Sequence, residues 1–198
     1  MNRKKVLVTG LGRSGTSAVA SVLKNIGFYM FDGEPVPSLE DKTLNGLIRS
    51  GQISELVERL EARAASNILA GWKDPKLFSD NGMRLLEALG PEWIYIFVYR
   101  DPLSIATRNS ITMNVDLEPA LEQAIRLQRK LYNFNALAAS RCPTYRVSYE
   151  KFATKFEATV LGLTKFLSIP CDVSMIDSIK QSIDADHITY LKNADNTE

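Results

Sequence analysis

Eight residues near the start of the chain, Gly10-Leu11-Gly12-Arg13-Ser14-Gly15-Thr16-Ser17, have the composition of an anion cradle. They follow a short apolar run, Val6-Leu7-Val8. They precede apolar residues at helical spacing, Val19, Val22, Leu23 and Ile26. A strand, a glycine-rich turn and a helix in that order aim free backbone N–H groups and the positive end of a helix dipole at one point. That suits a phosphate or a sulfate. Two cations stand in comparable places further on. Lys73, in Gly71-Trp72-Lys73-Asp74-Pro75-Lys76, and Arg100, in Tyr99-Arg100-Asp101-Pro102, each follow an apolar run that reads as a strand. Ligands of open α/β sheets gather at the carboxyl ends of strands. An arginine fork beside a helix start can hold a phosphate dianion with two parallel hydrogen bonds.

The elements that must position these groups are legible from periodicity. Gly27 ends the first helix, and residues 28–31 read as a second strand. A turn-rich loop, residues 32–38, leads to Glu40-Asp41 at the start of a helix carrying Leu44, Leu47 and Ile48. Gly51 breaks it, and Ile53, Leu56, Val57 and Leu60 begin another. Residues 67–72 form a short strand, and a helix covers about 80–89. The run WIYIFVY, residues 93–99, is apolar throughout, as expected of a central parallel strand buried on both faces. Helices follow over 103–109 and about 118–140, with Pro119 tolerated in a first turn. A strand at 144–148 delivers Tyr149-Glu150, and helices at about 151–168 and 173–182 close the chain. Strands alternating with helices predict an α/β fold, a three-layer α/β/α arrangement around a central parallel sheet. Residues 1–198 read as one domain, with a core over about 5–155 and C-terminal helices over about 151–192.

Composition narrows the function classes. The chain has 198 residues, 45% hydrophobic and 24% charged, with a net charge of +1. That is ordinary for a soluble globular protein and supplies no global field for nucleic acid or an acidic membrane. No segment approaches the length of a membrane span, and the basic N-terminus lacks a signal-type apolar run, so a cytoplasmic protein is expected. The two cysteines, Cys142 and Cys171, form no C-x-x-C pair, and His187 is the sole histidine. Reduced structural thiols and no metal site are expected. Residues 193–198 read as a frayed end.

Three anion-binding turns share features with residues 10–17. Gly10, Gly12 and Gly15 fit the dinucleotide fingerprint, and Asp32 sits where a ribose-binding acid would stand. The same residues fit a nucleotide-triphosphate P-loop, except that Thr16 occupies the lysine position, which speaks against ATP or GTP chemistry. Arg13-Ser14-Gly15-Thr16-Ser17 also resembles the phosphosulfate loop of sulfotransferases. The turn alone does not choose among them.

Later segments favour the third. Tyr99-Arg100-Asp101-Pro102-Leu103-Ser104-Ile105-Ala106 resembles the segment with which sulfotransferases bind the 3′-phosphate of 3′-phosphoadenosine 5′-phosphosulfate (PAPS). Residues 71–76 resemble the strand-end lysine segment of bacterial members, and Tyr149-Glu150 resembles a Tyr-Glu element near the nucleotide. The four pieces occur in family order. The resemblance implies a P-loop NTPase-like sulfotransferase fold and transfer of the sulfuryl group of PAPS to an acceptor hydroxyl on a carbohydrate, lipid or small metabolite, leaving 3′-phosphoadenosine 5′-phosphate (PAP). It places Arg13 and the N–H groups of Ser14, Gly15, Thr16 and Ser17 on the 5′-phosphosulfate. It places Lys73 near the bridging oxygen, Arg100 with Arg108 on the 3′-phosphate, and Tyr149 near the adenine. Glu40 is the implied general base, with Glu34, Asp41 and Asp74 as rivals.

The sequence departs from the family at three points. Arg108 stands where a serine is usual, with Ser110 two residues on. The C-terminal glycine-rich segment of the cytosolic animal enzymes is missing. The histidine base of those enzymes is absent, Pro75 holding the place beside Lys73, and His187 takes no assigned role. A Rossmann-type dinucleotide module and a non-catalytic nucleotide-binding relative therefore stand as alternatives. Plain structural roles stand beside each residue: Glu40 as a helix-start acid, Lys73 in a salt bridge with Asp74, Arg108 facing solvent, Tyr149 as a strand-end aromatic.

Overall fold

The structure, a computed structural model, describes residues 3–32 and 38–183. Four strands form its sheet: β1 (Lys4–Gly10), β2 (Leu69–Lys73), β3 (Trp93–Tyr99) and β4 (Thr144–Ser148). All neighbours are parallel, in the order β2-β1-β3-β4. Between β1 and β2 lie α1 (Thr16–Asn25), α2 (Lys42–Ser50) and α3 (Ile53–Ser66); α4 (Asp80–Ala88) leads to β3. The chain then runs through α5 (Pro102–Met113) and α6 (Leu117–Ala139) to β4, and on through α7 (Tyr149–Thr154) and α8 (Phe156–Leu167) to a helical stretch at 173–183.

The sheet has two buried faces because its central strands, β1 and β3, carry apolar residues on both sides. Leu7, Trp72, Trp93, Tyr95 and Phe97 point to one side and pack with α2, α3, α4 and α6. Val6, Val8, Ile94, Ile96 and Val98 point to the other and pack with α1, α8 and the 173–183 helix. This is the alternation of a pleated strand with helices on both sides, and it bears out the three-layer parallel arrangement.

Chain order makes the site. From β1 the chain moves to β2 on one side, then passes over to β3 on the other. The carboxyl ends of β1 and β3 thus flank a topological switch point, where helices diverge to opposite faces and leave a crevice.

Two elements differ from expectation. Residues 28–31 are not a strand: Tyr29 makes one parallel bridge to Ala70, through its N–H to Leu69 O (2.9 Å) and its carbonyl to Gly71 N–H (2.8 Å). The segment ends there because Asp32 is drawn onto Arg63. The helix expected over 151–168 is two, since Lys155 leaves the helical region at φ −134°, ψ 51°. No proline or glycine marks that break. Glu34, His187 and residues 193–198 lie outside the described residues.

Candidate active site

At the end of β1 the chain turns within van der Waals reach of β3. A Cβ on Gly10 would sit 2.5 Å from Val98 O and 2.7 Å from Ser14 Oγ, so only glycine fits. The turn then takes two left-handed residues, Arg13 (φ 68°) and Gly15 (φ 93°), and α1 starts at Thr16. Arginine is an uncommon occupant of that region, and such residues cluster where function demands the geometry. Among the described residues no side chain caps α1, so its first amides face the crevice with the positive end of the helix. Ser14 does not join them. Its amide bonds to Leu11 O (3.1 Å) and its hydroxyl is fully buried, which removes it from the set of anion-facing groups expected from the sequence.

The end of β3 meets this turn directly. Arg100 Nη1 donates to the carbonyl oxygen of Arg13 at 2.9 Å, and its guanidinium carbon lies 4.6 Å from the centre of the Tyr149 ring. The ring in turn covers Gly15: a Cβ there would lie 2.1 Å from Tyr149 Cδ2. Residues from three distant segments of the chain therefore meet here, with the cation on the aromatic face. Asp101 caps α5 by accepting from Ser104 N–H (2.7 Å), with Pro102 in the first turn. Glu150 holds the corner. Its Oε1 accepts from Asp101 N–H (2.8 Å) and its Oε2 from the Ser148 hydroxyl (2.9 Å), so the ends of β3 and β4 are tied together. Sequence reading noted Glu150 only as part of a motif; its role here is positioning.

The end of β2 supplies the third wall. Lys73 is buried, and its Nζ donates to Glu40 Oε1 (2.9 Å), Ser38 O (2.6 Å) and Ser17 Oγ (3.1 Å). Burial pushes the Lys73 ammonium below its usual 10.5, opposed by the charge of Glu40 and the hydrogen bond to it. Ser17 donates onward to Ser38 O at 3.1 Å. The lysine thus ties the start of α1 to the segment that carries Glu40.

These walls enclose a cavity of about 330 Å³. Arg13, Gly15, Thr16 and Ser17 line it from the turn, Lys73 and Glu40 from the β2 side, and Arg100, Arg108 and Tyr149 from the β3–β4 side. Ile183, at the end of the described chain, also reaches it, a contribution that no motif signalled.

Glu40 is the carboxylate that lines the cavity among the described residues. Asp41 instead caps α2, accepting from Leu44 N–H (3.0 Å), and pairs with Arg63. Asp74 is fully buried. One of its oxygens accepts from Lys76 N–H (2.6 Å), and burial raises its pKa above the usual 3.8. Asp32 is occupied as well, bonded to Arg63 (2.6 Å) and to the Tyr29 hydroxyl (2.9 Å). It lies outside the cavity lining, so the dinucleotide reading loses its ribose acid. Arg63 itself was invisible in the sequence. It is buried on α3, and it also donates to the carbonyls of Met30 (3.3 Å) and Gly71 (3.2 Å). Among the described residues there is no cluster of three metal-ligating side chains, and no helix is long and apolar enough to cross a membrane.

No protein-family model matches the chain, and no curated protein matches it in sequence. Its structure does resemble solved ones. The sulfotransferase domain of the Synechococcus olefin synthase superposes with a TM-score of 0.58 at 18% identity, covering 88% of this chain and 76% of that one. A sulfotransferase from Mycobacterium tuberculosis gives 0.60 at 13% identity, with coverages of 91% and 71%. Another from Mycobacterium avium gives 0.58 at 12%, with coverages of 93% and 69%. At such identities the likeness is one of architecture, and the architecture is the P-loop-like fold of the sulfotransferases.

Proposed function

We propose that this protein transfers the sulfuryl group of PAPS to an acceptor hydroxyl. The observation that carries the reading is the Arg100–Arg13 contact: two cationic anchors, from the ends of β1 and β3, line one cavity. A nucleotide with anions at both its 3′ and 5′ positions matches such a pair. A single-phosphate ligand would engage only one of the two anchors.

In this reading Arg13 and the first amides of α1 hold the 5′-phosphosulfate, with the hydroxyls of Thr16 and Ser17 beside them. Arg100 and Arg108 hold the 3′-phosphate, and Tyr149 lies along the adenine. The acceptor oxygen attacks sulfur in line, forming an O–S bond as the bond from sulfur to the bridging phosphate oxygen breaks. Charge develops on that bridging oxygen, and Lys73 neutralises it. The acceptor proton passes to Glu40, and PAP leaves. Lys73 Nζ rests on Glu40, Ser38 and Ser17. Donor binding exchanges part of that set for the sulfonate and frees the carboxylate to receive the proton.

The test is transfer of radiolabelled sulfur from PAPS to a panel of sugar, sterol, fatty-alcohol and phenol hydroxyls. The reading expects label on at least one acceptor class with stoichiometric release of PAP. It expects Lys73→Met to lower turnover by about 100-fold or more while PAP still binds. PAP binding with no label transferred to any acceptor, or to water, would favour the non-catalytic nucleotide-binding alternative.

A further inference from the structure

Asn45 lies on the first turn of α2 and is 2% exposed, yet both ends of its amide are used. Trp72 Nε1 donates to Asn45 Oδ1 at 2.8 Å, and Asn45 Nδ2 donates to Glu40 Oε2 at 3.1 Å. An indole N–H can only donate. The amide oxygen must therefore face Trp72 and the amino group must face Glu40. Trp72 is fully buried in the core against α2 and α3, so it gives the amide a fixed back stop. The next residue of β2, Lys73, holds the other carboxylate oxygen, Oε1, at 2.9 Å. Successive strand side chains leave on opposite faces. One strand thus grips the Glu40 carboxylate twice, through Asn45 from one face and directly from the other.

We infer that Asn45 is the positioning residue for Glu40: its amide, oriented by the Trp72 indole, fixes the carboxylate's rotamer. The inference rests on the reading of Glu40 as proton acceptor. The Asn45 hydrogen bond saturates one edge of the carboxylate, so the edge left to the cavity is the one an acceptor hydroxyl meets.

The experiment is carbon NMR of the glutamate side chains in the full-length protein, with Glu40 assigned by the resonances lost in Glu40→Gln. The wild type shows the side-chain couplings of a single Glu40 rotamer; in Asn45→Leu those couplings average over rotamers, and in Trp72→Phe they do so by less. PAP affinity stays within about twofold in both, because the nucleotide anchors are untouched. In the transfer assay kcat falls about tenfold, with KM for PAPS unchanged. A packing role alone would leave the Glu40 couplings as they are, so unchanged couplings in a folded Asn45→Leu overturn the inference. Should that variant not fold, Asn45→Ala is read in the same way. A wild-type protein that binds no PAP would defeat the sulfuryl-transfer reading and leave this rotamer measurement still legible.

Discussion

At the scale of single residues, the site is a problem of placing charge out of water. Lys73 shows the solution: it is buried but meets three acceptors, one of them anionic. Asp74, its neighbour, shows the opposite case. It is fully buried, and one carboxylate oxygen has no hydrogen-bond partner among the described residues. Burial raises it above 3.8; the Lys76 amide and the charges of Arg49 and Lys73 oppose that rise without cancelling it. Between 3.8 and its folded value the native state binds more protons than the unfolded chain. Asp74 therefore weakens the fold increasingly as pH rises through that value. Asp74→Asn should raise the melting temperature at neutral pH by a few degrees, on the order of 1 kcal/mol. The gain should vanish as pH falls towards 4. Melting curves across pH check this, and a gain independent of pH would remove the charge from the explanation. Neither the burial of Asp74 nor the roles of Asn45 and Arg63 was legible beforehand. Arg63 meets Asp32 and Asp41 across 31 and 22 residues of sequence, and no local pattern records such a distance.

At the scale of elements, what could be read was what local physics dictates. The β1–turn–α1 unit and the strand ending in Arg100-Asp101-Pro102 were legible because apolar runs, glycine and proline leave strong local marks. Residues 28–31 carry the same apolar mark, yet make only a single bridge, because pairing depends on where the chain is pulled next. Closure of the turn by the start of α7 was also hidden. Tyr149 lies on Gly15, and its ring face carries Arg100. Gly15→Ala should therefore do two things: strain a backbone at φ 93°, worth about 1–2 kcal/mol, and displace the Tyr149 ring. Nucleotide affinity should fall by more than the loss of stability implies. Adding Tyr149→Ala should restore part of the fold's stability but not the affinity, a non-additive pair readable by combined melting and binding measurements. Simple additivity in both would separate the ring from the turn.

At the scale of the whole molecule, the parallel order β2-β1-β3-β4 brings three strand ends to one crevice and gives each a different task. The end of β1 presents amides and Arg13, the end of β3 presents Arg100, and the end of β2 presents Lys73 with Glu40 beside it. The central claim is that the two arginine anchors address two separate anions of one ligand. Calorimetric titration with PAP and with adenosine 5′-monophosphate, on the wild type and on Arg100→Ala, tests it most directly. Two charge-assisted hydrogen bonds to the 3′-phosphate predict that the wild type prefers PAP by about 100-fold. Arg100→Ala should erase most of that preference while leaving the affinity for the monophosphate nearly unchanged. A wild type indifferent to the 3′-phosphate, or a variant that keeps the full preference, would contradict the account.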